Sequence, residues 1–220
     1  MTAFDTERAR HNMIEQQIRP WEVIDPRVLD TLPAVPREAF VPGGYRGLAF
    51  ADIEIPIGHG EVMLAPKIEA KLLQALAIQP TDRVLEVGTG TGYLAACLAR
   101  LGGHVVTIDL YGDFTEQARG RLAELGIGNV EYLTGDVFTA EIAGAPFDVI
   151  AVTGSLPLAS ERLEGLLNDG GRLFVVVGEP PAQEAQLVTR VREGVLRREG
   201  LFETVIPPLQ NAPRPESFVF

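Results

Sequence analysis

One cysteine and one tryptophan in 220 residues leave little room for whole classes of chemistry. Cys97 alone closes no internal disulfide and assembles no cysteine-based cluster, so no metal is expected. Its helical apolar neighbours make it a small buried hydrophobe. Long apolar runs are missing too. No stretch approaches the roughly eighteen residues a membrane helix needs, and Met1-Thr2-Ala3-Phe4-Asp5-Thr6-Glu7 lacks the basic-then-apolar order of a secretory signal. Cations are scarce beside anions: 19 Lys and Arg against 30 Asp and Glu give a net charge of −11. That balance disfavours a nucleic-acid partner, whose phosphates require clustered Lys and Arg. The expectation is a cytoplasmic protein with neither a membrane nor a nucleic-acid partner.

What the chain does have is 46% hydrophobic content, enough for one large α/β core but too little length for a second complete domain. We expect a single domain over 1–220, divided into a helical and loop extension over 1–78 and an α/β core over 79–220. The core is organised around Arg83-Val84-Leu85-Glu86-Val87-Gly88-Thr89-Gly90-Thr91-Gly92-Tyr93-Leu94. Val84, Leu85 and Val87 read as a buried parallel strand. Three alternate glycines follow, then a helix-forming run from Leu94 to Arg100. Strand, glycine turn and helix bring bare backbone against a nucleotide-like ligand at a helix N-terminus, with Gly88, Gly90 and Gly92 allowing tight turning and close approach.

The next apolar run, His104-Val105-Val106-Thr107-Ile108, ends in Asp109, placed to take both ribose hydroxyls of a ligand in the turn. Two details favour S-adenosylmethionine over a dinucleotide. The dinucleotide fingerprint wants a glycine where this chain has Tyr93. Glu86 sets a carboxylate beside the turn, which suits a cationic amino-acid moiety and repels a pyrophosphate. Asp136, after the strand Val130-Glu131-Tyr132-Leu133, overlies the same crevice and could hold an adenine amino group; its plainer role is a turn carboxylate. Thr153 ends a fourth strand from Phe147, and strand ends line such a site. The cofactor-binding set is therefore Glu86, Gly88, Thr89, Gly90, Gly92, Asp109, Asp136, Val137 and Thr153.

Elsewhere the pattern predicts an amphipathic helix over 6–18 stopped by Pro20 and a second helix starting at Asp25-Pro26. Proline-punctuated, largely irregular chain fills 33–60, and an apolar helix carries Ile68, Leu72, Leu73 and Leu76. Beyond Asp109 come a helix over 114–125 and another over 157–167, then a turn at Asn168-Asp169-Gly170-Gly171 and the strand Arg172-Leu173-Phe174-Val175-Val176-Val177-Gly178. The segments 186–191 and 201–206 read as a hairpin around Glu193-Gly194, and a proline-rich tail ends in Phe218-Val219-Phe220. The fold class is thus α/β: a Rossmann-like S-adenosylmethionine methyltransferase sheet of seven strands, the last pair a hairpin, with a helical N-terminal extension.

Along nearly its whole length the chain resembles the protein-L-isoaspartate O-methyltransferase family. The resemblance rests on Pro36-Arg37-Glu38-Ala39-Phe40-Val41-Pro42, Pro56-Ile57-Gly58-His59-Gly60, Pro66, the glycine strand, Phe147-Asp148 through Val152-Thr153, and Gly170-Gly171-Arg172-Leu173. It implies methyl transfer from S-adenosylmethionine, leaving S-adenosylhomocysteine, to the free carboxylate of isoaspartyl residues in damaged proteins. It also implies cofactor contacts at Glu86, Gly88, Gly90, Asp109 and Asp136, and a substrate site at the 56–66 loop. There the chain departs from the family. Where the family has a serine implicated in catalysis stands Leu64; Val62 replaces a threonine and Glu61 an amide.

A carboxylate acceptor is already ionised at about pH 7 and needs no base. An anionic acceptor nevertheless meets Glu61 and a net charge of −11, which Lys67, Lys71 or Arg46 would have to offset. A hydroxyl acceptor would need a general base, for which His59 and Glu61 are the candidates. Rival readings are a same-fold methyltransferase with a different, even small-molecule, acceptor and a cofactor-binding protein without turnover.

Overall fold

The structure is a computed structural model and describes residues 5–192 and 194–214. Glu193 and the apolar end Phe218-Val219-Phe220 lie outside the described residues. The chain begins with α1 (Thr6–Met13), capped by the Asp5 carboxylate, which accepts from Arg8 N. The turn then widens to a π-helix over Ile14–Ile18 and tightens to a 3₁₀ turn over Arg19–Trp21. The expected helix thus spans its range with changing pitch, and Pro20 sits inside the 3₁₀ turn rather than after the last helical residue. In α2 (Pro26–Ala34) Asp25 is the N-cap and Pro26 opens the first turn, where its missing N–H costs nothing. Pro33 lies within this helix; its place in the last turn limits the damage.

After two 3₁₀ turns come a small hairpin, β1 (Ile55–Gly58) and β2 (Glu61–Met63), and helix α3 (Pro66–Leu76). The main sheet then alternates β3 (Arg83–Val87), α4 (Tyr93–Leu101), β4 (His104–Asp109), α5 (Gly112–Glu124) and β5 (Val130–Thr134). It continues as β6 (Phe147–Leu156), α6 (Glu161–Gly165), β7 (Leu167–Glu179), β8 (Ala182–Arg192) and β9 (Val195–Glu203). Spatial order is β5-β4-β3-β6-β7-β8-β9. The first five run parallel; β8 and β9 are antiparallel additions. The chain walks outward from β3 to β5 and returns to β6 on the other side of β3. That reversal opens a crevice at the carboxyl ends of β3 and β6.

Alternate residues of each strand serve opposite faces, as a period of two requires. Val84, Val105, Val149 and Phe174 join the core that includes α2, α3 and α4, while Leu85, Val106, Ile150 and Leu173 join the opposite one. Each such buried side chain contributes about 1.5–3 kcal/mol, so the sheet centre anchors the crevice rigidly. Cys97 is fully buried in α4, where burial pushes its thiol far up.

Three expectations need correcting after β6. The second arm of the hairpin runs over Val195–Glu203 rather than 201–206, because it pairs with β8 directly after Gly194. The helix expected over 157–167 is only five residues long, because Ser160 rather than the Pro157 region caps it and Leu167 already pairs with Phe147. The turn expected at 168–171 lies inside β7. Phe147 pairs with Leu167 and Val149 with Arg172, so the glycine pair is absorbed as a bulge that leaves the strand continuous.

Candidate active site

A cleft enclosing about 930 Å³ of empty space, part of it open to solvent, sits over the carboxyl ends of β3, β4, β5 and β6. On the strand side it is walled by Val87, Gly88, Thr89, Gly90, Asp109, Asp136, Val137 and Thr153. Gly88, Gly90 and Gly92 all have positive φ, which explains their residue type. The rest of their role differs. A Cβ on Gly88 would collide with the Thr153 hydroxyl, which donates to the carbonyls of Val87 and Gly88 at 3.0 Å each. Gly90 donates its N–H to Asp109 Oδ2 at 2.9 Å. Gly92 does not reach the cleft; a Cβ there would stand 2.7 Å from Ala118 Cβ. It permits α4 to pack on α5, so the expected close approach to a ligand at Gly92 is replaced by helix packing.

Asp109 accepts a second hydrogen bond from Tyr111 N at 3.0 Å. Burial pushes its carboxyl up while the N–H groups of Gly90 and Tyr111 hold it back, and Glu61 adds repulsion. Asp136 receives Phe138 N at 2.8 Å on one oxygen and Asn211 Nδ2 at 3.0 Å on the other. Glu86 lies outside the wall. It is wholly buried, takes the Thr107 hydroxyl on Oε2 and has no partner for Oε1 among the described residues. Burial drives it up to about 8, against the Thr107 hydrogen bond. Thr89 Oγ1 and Thr107 Oγ1 are 2.7 Å apart, which ties the buried acid to the wall.

The opposite wall is built by β1, β2 and α3 through Ile57, Glu61, Val62, Met63, Leu64 and Glu69. No lysine, arginine or histidine lines the cleft among the described residues; four carboxylates do. Lys67, Lys71 and Arg46 stand apart from it, Lys67 paired with Asp52 at 2.7 Å. His59 is also off the wall. It takes a left-handed φ of 52° at the hairpin tip and stacks on Tyr111, with ring centroids 4.1 Å apart. Its Nε2 lies 3.0 Å from the Asp113 carboxylate. A carboxylate accepts only, so that nitrogen carries the proton and donates. The contact lowers Asp113 from the usual carboxylate range. Of the two base candidates, Glu61 alone faces the cleft, its Oε1 accepting from Gln210 Nε2 at 3.1 Å.

Three features on or behind this wall are absent from the sequence-based site set. Glu69 is buried, and burial pushes it up to about 7 although Arg37 pulls it down. Arg37, equally buried, pairs with Glu69 and donates to the Leu64 carbonyl at 2.6 Å and the Ala49 carbonyl at 2.9 Å. Its guanidinium also lies 4.8 Å from the Tyr93 ring centroid. The signal for Glu69 was present: 69, 72, 73 and 76 share one face of α3, and an acid on that apolar stripe demands a partner. The third feature is the segment 207–210, which completes the cleft. Ser155 N donates to Pro207 O and Leu209 N to Ser155 O, both at 2.9 Å, and Leu209 covers Gly154.

No helix of the described residues is long and apolar enough to cross a membrane. The family model for protein-L-isoaspartate(D-aspartate) O-methyltransferase matches residues 8–212. A protein-L-isoaspartate O-methyltransferase of Rhodopseudomonas palustris is 41% identical over 201 residues, covering 91% of this chain and 92% of its own. One from Koribacter versatilis is 41% identical over 95% of this chain and 93% of its own. A Plasmodium falciparum protein-L-isoaspartate O-methyltransferase structure in complex with S-adenosyl-L-homocysteine superposes with a TM-score of 0.79. It covers 93% of this chain and 98% of that one at 21% identity, a likeness of fold.

Proposed function

The chain belongs to the protein-L-isoaspartate(D-aspartate) O-methyltransferase family, and on that premise we propose that it methylates the free carboxylate of L-isoaspartyl residues in damaged cytoplasmic proteins. S-Adenosylmethionine is the donor and S-adenosylhomocysteine the product. The observation that carries this reading is the cleft itself. A positive-φ glycine turn ends one strand, and Asp109 and Asp136 stand at the ends of the next two.

The residues present fit a cationic donor. The wall is acidic, without a lining cation among the described residues, and Glu86 Oε1 is an orphaned buried acceptor behind the glycine turn. Asp109 would hold the ribose, Asp136 and Val137 the adenine, and Gly88, Thr89, Gly90 and Thr153 the amino-acid end, with the Glu86 carboxyl beneath the turn offering a further acceptor oxygen. When bound, S-adenosylmethionine supplies a methyl group on a positively charged sulfur. The acceptor carboxylate is ionised at about pH 7, so no residue of the chain has to take a proton from it. Alignment and exclusion of water remain. Ile57, Val62, Met63 and Leu64 perform them with apolar side chains on the acceptor wall.

A second reading draws on one observation. Leu64 and Val62 present aliphatic groups where the family has hydroxyls, and Glu61 stands between them and the tail. A neutral hydroxyl acceptor with Glu61 as base would use that arrangement. Labelled-methyl transfer to an isoaspartyl peptide, with the aspartyl peptide as control, separates the two. Wild type should label the isoaspartyl peptide selectively. Labelling only by the double variant Leu64→Ser/Val62→Thr, or by neither protein, would hand the site to the second reading.

A further inference from the structure

Glu69 is the one fully buried carboxylate on the acceptor wall. Its Oε2 is taken by Arg37, and no other described group donates to its side chain. Arg37 is not itself on the wall: its remaining hydrogen bonds go to the carbonyls of Leu64 and Ala49. The pair therefore turns an acceptor, not a cation, toward the ligand. Arg37 neutralises the charge from behind, and the open oxygen of Glu69 is left for a donor. In its ionised form, paired with Arg37, Glu69 repels a methyl-accepting carboxylate from that oxygen. An N–H beside the carboxylate can, and an isoaspartyl residue carries its own amide N–H on the carbon that bears the free carboxylate.

We propose that Glu69, held by Arg37, is a specificity-determining residue that reads this amide N–H and thereby turns the neighbouring carboxylate away from the acid wall. The proposal rests on the isoaspartyl reading above. It gives the helix-borne acid a use that the serine and threonine of the family loop do not supply here: recognition through a donor on the substrate rather than through hydroxyls on the enzyme. Lys67, two residues away, cannot substitute, since it pairs with Asp52 and lies over the Trp21 ring.

The test uses two isoaspartyl peptides, one native and one N-methylated at the isoaspartyl amide, with wild type, Glu69→Gln and Glu69→Leu. A hydrogen bond to a charged group is worth about 1.5–3 kcal/mol, or about tenfold to a hundredfold. Wild type should lose that much in kcat/KM on the methylated peptide, chiefly through KM. Glu69→Leu should lose as much on the native peptide and no longer distinguish the two. Glu69→Gln, which keeps an acceptor oxygen, should retain part of the discrimination. Affinity for S-adenosylhomocysteine should stay within about twofold throughout. If Glu69→Leu does not fold, the wild-type comparison of peptides decides alone. Equal turnover of both peptides by wild type overturns the proposal and leaves the isoaspartyl reading standing. Transfer to neither overturns both.

Discussion

The two walls of the cleft are built on opposite plans. The strand-end wall is mainly local: a strand, a turn and a helix consecutive in sequence, with Asp109 and Asp136 at the ends of the next two strands and three of their four oxygens tied to backbone N–H groups, the fourth to Asn211 of the tail. The opposite wall is assembled from afar. Arg37 of the leader holds Leu64 of the loop and Glu69 of α3, while Gln210 of the tail reaches Glu61. The first wall leans on backbone geometry that many side chains could surround. The second leans on side chains that need one another, so a single substitution there reaches several elements at once.

Each wall has its own breaking points. The largest effect belongs to Arg37→Ala, which leaves Glu69 buried and unpaired and strips the Leu64 and Ala49 carbonyls of a donor. A loss of about 3–5 kcal/mol is expected in urea unfolding, with S-adenosylhomocysteine affinity of the folded fraction kept within about threefold. Collapse of that affinity would mean that the walls are not separable.

Next is the pH dependence of stability. Folding raises Glu86 from 4.5 to about 8 and Glu69 from 4.5 to about 7, both through burial. Over that interval the folded chain binds more protons than the unfolded one. The contribution is therefore full below about pH 4.5 and is lost as pH rises through 7 and 8. Unfolding free energy should fall by a few kcal/mol between about pH 5 and pH 9. Glu86→Gln should recover its share at the alkaline end and change little at the acid end; an unchanged slope would sharpen the assignment to Glu69 alone.

The smallest effect is reserved for His59. Asn tolerates the left-handed backbone there, so His59→Asn removes only an exposed contact with Asp113 and a stacked ring. A change in kcat/KM within about twofold is expected. A large loss confined to kcat would bring the histidine back into the chemistry.

The same contrast explains what could be read from the sequence. The place of Gly88, Asp109, Asp136 and Thr153 on the cleft was legible because a strand's end and the turn after it are set by neighbours in the chain. Gly92 was legible as a glycine but not in its purpose, since Ala118, on another helix, decides it. Arg37 and Glu69 were invisible as a pair, being 32 residues apart with nothing in either local pattern to name the other. The shortened α6 and the bulged β7 obey the same rule. Pairing of Leu167 with Phe147 overrides the local helix signal and the turn preference of the two glycines.

The tail has a consequence for how the molecule comes into being. Residues 207–210 form the last wall of the cleft, pinned to β6 through Ser155 and, by way of Gln183, to β8. A growing chain exposes β6 some fifty residues before it can supply that wall. The strand-end wall and the one opposite it both wait on the tail in part: Gln210 reaches Glu61 on one and Asn211 reaches Asp136 on the other. The cleft therefore lacks one of its walls until residues 207–210 have been made and laid against β6.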